Sequence, residues 1–355
     1  MEIAQTTFSV IKILGISATA SIIAVLWCPL LTHFLYKYKL WKKEARTKAI
    51  SGEDAVVFNQ LHKERETKAP RMGGLLIWVT TVFIIFLFYI LSLIFPGTIF
   101  SQLNFLSRSQ TWLPLFALVV ASLLGLLDDI LQVSGIGGYI AGGLSLKKRL
   151  LVIILIGLVA GWWFFAKLGW DYIHIPYFGN FQIGIWYIPL FVFVTVATWS
   201  GGVIDGLDGL AGGAFASMFG AFTIIAFSQG KYDLATFCAV IAGTLFAFLW
   251  FNIPPARFYM GETGILGLTV VLSVVAFLTD SVLVLPVIAG LLVLETGSVI
   301  IQLLSKKFRH KKIFLSTPIH HHFEAIGWPA HKVTMRAWIV GIVLAIIGVA
   351  IRLLG

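Results

Sequence analysis

Long apolar runs, broken at intervals by short polar stretches, dominate the chain. Ten of them cover about residues 9–36, 73–95, 112–131, 149–167, 185–200, 209–229, 233–251, 264–279, 281–305 and 333–353. A bilayer-spanning helix needs about 20 apolar residues. The runs are continuous, so the pattern predicts helices. It argues against a porin-type barrel, whose strands alternate apolar with polar residues. The expected architecture is an all-α polytopic membrane protein of about ten transmembrane helices, one integral membrane domain over residues 1–355. The first run continues well past the roughly 7–15 residues of a signal-peptide core, which favours an uncleaved anchor. One segment breaks the helical pattern. Tyr172 to Ile185 reads as two short strands around a Gly179-Asn180 turn, with Pro176 weakening the pairing; an ordered aromatic loop is the other reading.

Composition agrees. The chain is 59% hydrophobic and 12% charged, about half the charge of a soluble domain. That excludes a disordered chain, a disulfide scaffold and a typical cytosolic enzyme. Cys28 and Cys238 lie inside apolar runs and give neither a disulfide framework nor metal-ligand spacing.

The net charge of +10 suggests nucleic acid until its distribution is read. Alternate loops, about 37–72, 128–149, 200–208, 252–263 and 306–332, hold most of the Lys and Arg. Lys37, Lys39, Lys42, Lys43, Arg46, Lys48, Lys63, Arg65, Lys68 and Arg71 all fall in the first. The opposite side has little beyond Lys12, Arg108, Lys167, Lys231 and Arg352. The positive-inside rule places the basic loops in the cytoplasm, with both termini and the hairpin outside. The bases then orient the chain and meet anionic lipid or an anionic substrate; no nucleic-acid partner is needed.

Scarce charge makes the carboxylates conspicuous. Of 16, five sit at the same ends of the runs: Asp128, Asp129, Asp205, Asp208 and Glu262. Such acids are expensive at a membrane edge unless paired, solvated or bound to a cation. Each alone reads equally as a helix cap. Together, with Gly201, Gly202, Gly206 and Gly209 allowing close backbone approach, they suit Mg²⁺, which takes one or two carboxylates plus substrate phosphates. Thr317-Pro318-Ile319-His320-His321-His322-Phe323-Glu324 lies in the last basic loop. Three consecutive His cannot all face one way, so zinc is a weak reading; phosphate binding or proton transfer is the sharper one, and a backbone-bonded loop the bland one. Lys68-Ala69-Pro70-Arg71-Met72-Gly73-Gly74 offers bases to phosphate. Glu295, inside the ninth run, is read as an interhelical contact or, less favoured, the coupling group of a transporter.

These motifs resemble the polyprenyl-phosphate N-acetylhexosamine-1-phosphate transferases. Gly125 to Asp129 is similar to that family's first aspartate motif and Asp205-Gly206-Leu207-Asp208-Gly209-Leu210 to its second. Phe251-Asn252 through Met260-Gly261-Glu262-Thr263-Gly264 resembles the third. Pro318 to Glu324, with Gly327-Trp328 and Arg336, resembles the histidine motif of the branch that handles MurNAc-pentapeptide. The resemblance implies transfer of phospho-MurNAc-pentapeptide from its UDP carrier to undecaprenyl phosphate. It implies Mg²⁺ as cofactor, a bacterial inner membrane with the site facing the cytoplasm, and a homodimer. By position it implies catalytic roles for Asp128 as general base, for Asp129 and Asp205, and for His320, His321 and His322. Glu262 and Asp129 would hold metal. Gly206, Leu207, Asp208, Asn252, Tyr259, Lys68 and Arg71 would bind substrate. The chain also departs from the pattern. Glu262 replaces Asp, Gln132 stands where a Lys follows the Asp pair, Trp199 and Gly202 stand where Asn is usual, and Pro70-Arg71-Met72-Gly73-Gly74 leans towards the GlcNAc-1-phosphate relatives, which are the alternative.

Overall fold

The structure, a computed structural model, describes residues 2–43, 69–136 and 143–355. Its helices are α1 (Glu2–Lys37), α2 (Leu75–Ile94), the short α3 (Ile99–Leu103), α4 (Trp112–Ser134), α5 (Leu146–Trp162, continued by a π-helical turn, Trp163–Lys167) and α6 (Tyr187–Ser200). There follow α7 (Leu210–Ser228), α8 (Tyr232–Asn252), α9 (Gly261–Leu278), the single turn α10 (Leu285–Ile288), α11 (Gly290–Arg309), α12 (Ile319–Ala325) and α13 (Ala330–Leu354).

Among the described residues, nine helices are long and apolar enough to cross a membrane. The ninth run is the one that differs. It breaks at Ala289 into α10 and α11, and α11 carries Glu295, Lys306, Lys307 and Arg309. This helix is amphipathic inside out. Glu295, Ser298, Gln302 and Ser305 are buried, while Val293, Leu294, Ile300, Ile301 and Leu304 are exposed. Hiding the polar stripe and showing the apolar one is what hydrocarbon surroundings favour, so α11 completes the ten.

Helices α8 and α9 form the centre: 89% and 94% of their spanning windows are buried, against 17% for α13. Around them, α1 and α7 pack on α8, α4 on α9, and α13 on α7. Lipid is as apolar as Leu, so close packing and hydrogen bonds hold such helices together. At Gly243 of α8 a Cβ would lie 2.3 Å from the Ser17 carbonyl of α1, and the Ser17 hydroxyl donates to the Ala239 carbonyl at 2.6 Å.

Strands β1 (Tyr172–Ile175) and β2 (Gly179–Gln182) pair antiparallel, with Tyr172 opposite Gln182 and Ile175 opposite Gly179. The turn is Pro176-Tyr177-Phe178, not Gly179-Asn180 as the pattern predicted. Pro176 therefore sits outside the ladder, where its missing N–H disturbs nothing, and Tyr177 takes φ 68°. His174 Nε2 bonds the Gly355 backbone oxygen at 2.6 Å. The 229–231 loop is tied to 278–279 by the Gln229 amide and the Lys231 ammonium, and Lys12 of α1 pairs with Asp233 at 3.1 Å. Both chain ends thus share the hairpin's side, and the acidic motifs lie on the other.

Candidate active site

Helix α4 crosses the N-terminus of α9 at Gly125, where a Cβ would fall 2.2 Å from the Glu262 carbonyl oxygen. Successive helical residues point about 100° apart, so the two acids one turn further on diverge. Asp129 turns inward and is fully enclosed. Its oxygens accept the N–H groups of Glu262 at 3.1 Å and Thr263 at 2.9 Å, and Arg71 Nε stands 3.7 Å away. It caps α9, whose first N–H groups have no helical partner. Asp128 turns to a cleft. It accepts the Leu144 N–H at 2.6 Å and the Gln132 amide at 3.1 Å, and pairs with Arg149 at 2.7 Å. The same guanidinium reaches Glu262 Oε1 at 2.5 Å. Arg149 therefore bridges two acids from separate helices, in a cleft whose apolar walls are Leu124, Leu144, Val152, Ile153, Trp199 and Leu266.

The second acidic motif follows a 3-10 turn, Gly201–Ile204. Asp205 accepts the Gly261 N–H at 3.2 Å. Loss of water is the main cause that pushes its pKa up to about 6; Arg71 and the Gly261 N–H pull the other way, while the Glu262 and Asp208 charges add to the rise. Asp208 accepts the Ala256 N–H at 3.2 Å, and its carbonyl accepts the Thr334 hydroxyl at 3.1 Å. Asn252 accepts the Gly209 N–H at 2.9 Å and donates to the Phe258 carbonyl at 2.7 Å. Leu207, Asp208 and Asn252 are all buried. These three are among the residues expected to touch a nucleotide, and in this structure the Asp208 and Asn252 side chains tie the two loops together. Gly206 and Tyr259 are half-buried, at the open side. Tyr259 is stitched to the start of α2: its N–H donates to the Pro70 carbonyl and its carbonyl accepts the Gly73 N–H, both at 2.8 Å. That pairing delivers Arg71 to the acids. Lys68 lies outside the described residues.

The histidines divide two and one. His320 and His321 are buried and His322 is half-buried. His320 Nδ1 pairs with Glu295 Oε2, and His321 Nδ1 with Glu324 Oε2, each at 2.8 Å. A Cβ on Gly206 would lie 2.2 Å from His320 Nε2 and 3.2 Å from His321 Nε2. Two histidines thus meet the second acidic motif. His322 turns away and accepts the Leu315 N–H at 3.2 Å.

Among the described residues, no three His, Cys, Asp or Glu side chains converge as a ligand set. Mg²⁺ needs fewer, because substrate phosphates complete its shell. The donors are hard carboxylate oxygens, and the Arg149 guanidinium between Asp128 and Glu262 marks a place where the fold already meets negative charge with a cation. The residues fit the metal, with Glu262 as the accessible oxygen donor, its side chain 22% exposed. Asp129, expected beside it, is enclosed behind the loop. The departures from the family pattern have structural counterparts. Gln132 gives Asp128 a neutral donor where a Lys is usual, and Arg149 supplies the charge. At Gly202 a Cβ would meet Ile265 Cγ2 at 2.4 Å, so an Asn side chain has no room.

One residue of the site escaped the sequence reading, and so did the partner of another. In the sequence Arg149 stands beside Lys147 and Lys148 at the end of a basic loop and is indistinguishable from them as an orientation signal. Spacing of four singles it out: Ile153, Gly157 and Gly161 are the buried positions of α5, and Arg149 continues their stripe. Glu295 makes the interhelical contact expected of it, but the pattern gave no sign that the partner is His320, 25 residues on.

Among the described residues, a bundle of membrane-length helices holding an acidic cleft and, beside the second acidic motif, two histidines is the framework of a membrane-embedded transferase. Consistently, the Glycosyl transferase family 4 model matches residues 111–280, a stretch holding both aspartate motifs and Glu262. Over longer stretches the chain is similar to named phospho-N-acetylmuramoyl-pentapeptide-transferases. That of Anoxybacillus flavithermus is 33% identical over 342 residues, covering 96% of this chain and 98% of the relative. That of Oceanobacillus iheyensis is 37% identical over 295 residues, 81% of this chain and 85% of the relative. That of Bacillus subtilis is 33% identical over 334 residues, 93% and 95%. The chain belongs to the phospho-N-acetylmuramoyl-pentapeptide-transferase family.

Proposed function

We propose that this protein transfers phospho-MurNAc-pentapeptide from UDP-MurNAc-pentapeptide to undecaprenyl phosphate, releasing UMP and forming lipid I. It acts at the cytoplasmic face of a bacterial inner membrane. The observation that carries this reading is the cleft: apolar walls beside a floor of Asp128, Arg149 and Glu262 suit an amphiphile with an anionic head. Family membership supports the sugar, and the basic loops support the side.

Phosphoryl transfer needs in-line positioning and charge neutralisation more than covalent work by the protein. Arg149 would leave its two acids to clamp the lipid phosphate, and Asp128, so released, would take that phosphate's remaining proton. Asp129 holds the start of α9, and with it Glu262, at a fixed distance. Glu262 would hold Mg²⁺, which when bound neutralises diphosphate charge and favours UMP as leaving group. Asp205, with a pKa of about 6, is matched to proton transfer near neutrality. His320 and His321 face the Gly206 loop, where the UDP diphosphate would rest, and Tyr259 offers a ring to stack on uracil.

The test is UMP release by purified protein in detergent with Mg²⁺ and undecaprenyl phosphate, given UDP-MurNAc-pentapeptide and UDP-GlcNAc in parallel. Turnover on the first supports the reading. Turnover on UDP-GlcNAc alone would replace it with the GlcNAc-1-phosphate activity that the Pro70-Arg71-Met72-Gly73-Gly74 form suggests. The transporter reading loses its motive, because Glu295 is paired with His320.

A further inference from the structure

Two residues of the buried polar stripe of α11, Gln302 and Ser305, share a purpose. Gln302 Oε1 accepts the N–H groups of Ile313 and Phe314, and its amide donates to the Phe314 carbonyl. Ser305 donates to the Lys311 carbonyl. The stripe is thus a rack on which the segment returning to α12 is hung. Glu295 belongs to that rack, yet it holds a side chain rather than backbone. Its partner is the Nδ1 of His320, at 2.8 Å, and the two side chains are 5% and 1% exposed.

The far side of that imidazole is unusual. His320 Nε2 is buried and has no hydrogen-bond partner. Buried polar atoms are nearly always paired, and an orphan at a site is a place where a partner arrives. The atom points at Gly206, which has no side chain to fill the space; a Cβ there would lie 2.2 Å away. A carboxylate only accepts hydrogen bonds, so the proton of the Glu295 contact sits on Nδ1. Nε2 is then the free end, a lone pair in the neutral ring and an N–H in the charged one. Either way its direction is set by Glu295.

We propose that Glu295 is a positioning residue of the transferase. It fixes the tautomer and tilt of His320, so that Nε2 meets the diphosphate seated over Gly206 as charge develops on the departing UMP. This rests on the transferase reading above. Helix α11 would then contribute to the chemical step through a residue that never touches substrate.

The experiment is steady-state UMP release by the full-length protein, with UDP-MurNAc-pentapeptide varied at saturating undecaprenyl phosphate. The variants are Glu295→Gln, Glu295→Asp, His320→Ala and the Glu295→Gln/His320→Ala double substitution, each with its melting temperature. An inactive wild type sinks the transferase reading itself and leaves no cycle to measure. With an active wild type, Glu295→Gln is expected to lower kcat at least tenfold with KM within threefold. Glu295→Asp, which keeps the charge, should recover part of that loss. In the His320→Ala background, Glu295→Gln should cost nothing further. Activity of Glu295→Gln within twofold of wild type would overturn the proposal. So would a loss that multiplies with that of His320→Ala, or one that follows a lowered melting temperature in both Glu295 variants.

Discussion

Replacing Gly125 by Ala tests the geometry that brings the acids together. The new Cβ would lie 2.2 Å from the Glu262 carbonyl oxygen, 2.5 Å from its carbon and 2.8 Å from Thr263 Cα. All three are backbone atoms of the first turn of α9, so no side chain can swing aside. Favourable contact begins near 3.5 Å, so α4 must retreat from α9 by more than about 1 Å. Overpacking of this kind costs about 1–3 kcal/mol, and Ala in place of a mid-helix Gly returns about 0.5–1 kcal/mol. The net stability loss should therefore stay below about 2.5 kcal/mol. Activity should suffer more. Asp128 and Asp129 ride on α4 and Glu262 on α9, and a 1 Å misplacement of reacting groups costs about 10²-fold in rate. The assay is kcat for UMP release beside the thermal melt in detergent. The control is Gly220→Ala in α7, where nothing lies within 4 Å of the added carbon; it should match wild-type turnover. Near-normal kcat in Gly125→Ala would refute the close crossing, and with it the placement of Glu262 against the aspartates.

The carboxylates give a sharper chemical test: Asp128→Asn and Glu262→Gln should each lose most UMP release with little change in melting temperature, whereas Glu262→Asp should keep measurable turnover because the long Arg149 side chain can follow the shorter acid. Asp129→Asn should lose activity and stability together, since one oxygen of the α9 cap becomes a donor facing a backbone N–H. Asp205, at about 6 instead of 3.8, binds its proton more tightly folded than unfolded. It therefore favours the fold below about pH 4, and that contribution is lost as pH rises through about 6; melting temperatures of Asp205→Asn across pH 4–7 should lack this decline. Asn252→Ala orphans the Gly209 N–H and the Phe258 carbonyl, at about 1–3 kcal/mol for each buried group left unpaired, and should lower the melting temperature; an unchanged melt would show that the amide is not the tie between these loops.

What the sequence makes legible here is depth along the membrane normal, and what it hides is rotation and partnership. Run lengths and the sorting of bases placed Asp128, Asp129, Asp205, Asp208, Glu262 and the histidines at one face, where the structure has them. Depth does not say which way a side chain points. Adjacent Asp128 and Asp129 look equivalent in sequence, yet one faces the cleft and the other caps α9. Asp208 and Asn252 carry polar groups suited to a ligand, and in the structure each also accepts a backbone N–H of the facing loop, from Ala256 and Gly209, which no local pattern reports. The turn of the hairpin moved to Pro176 because a proline is tolerated off the ladder, a rule that outweighs the local Gly-Asn signal. Arg149 and the partner of Glu295 were hidden for a shared reason. Each pairs with an opposite charge or imidazole far away in sequence, Arg149 with Glu262 and Glu295 with His320, and no periodicity reports a contact between helices. In a chain this apolar, such pairs follow from solvation: an ionised side chain near hydrocarbon is too costly to leave alone. The few charges must find one another or find a substrate. At this site the structure has the first, Arg149 holding Asp128 and Glu262 together, and the transfer proposed above would add the second, with the same guanidinium receiving an anionic lipid head.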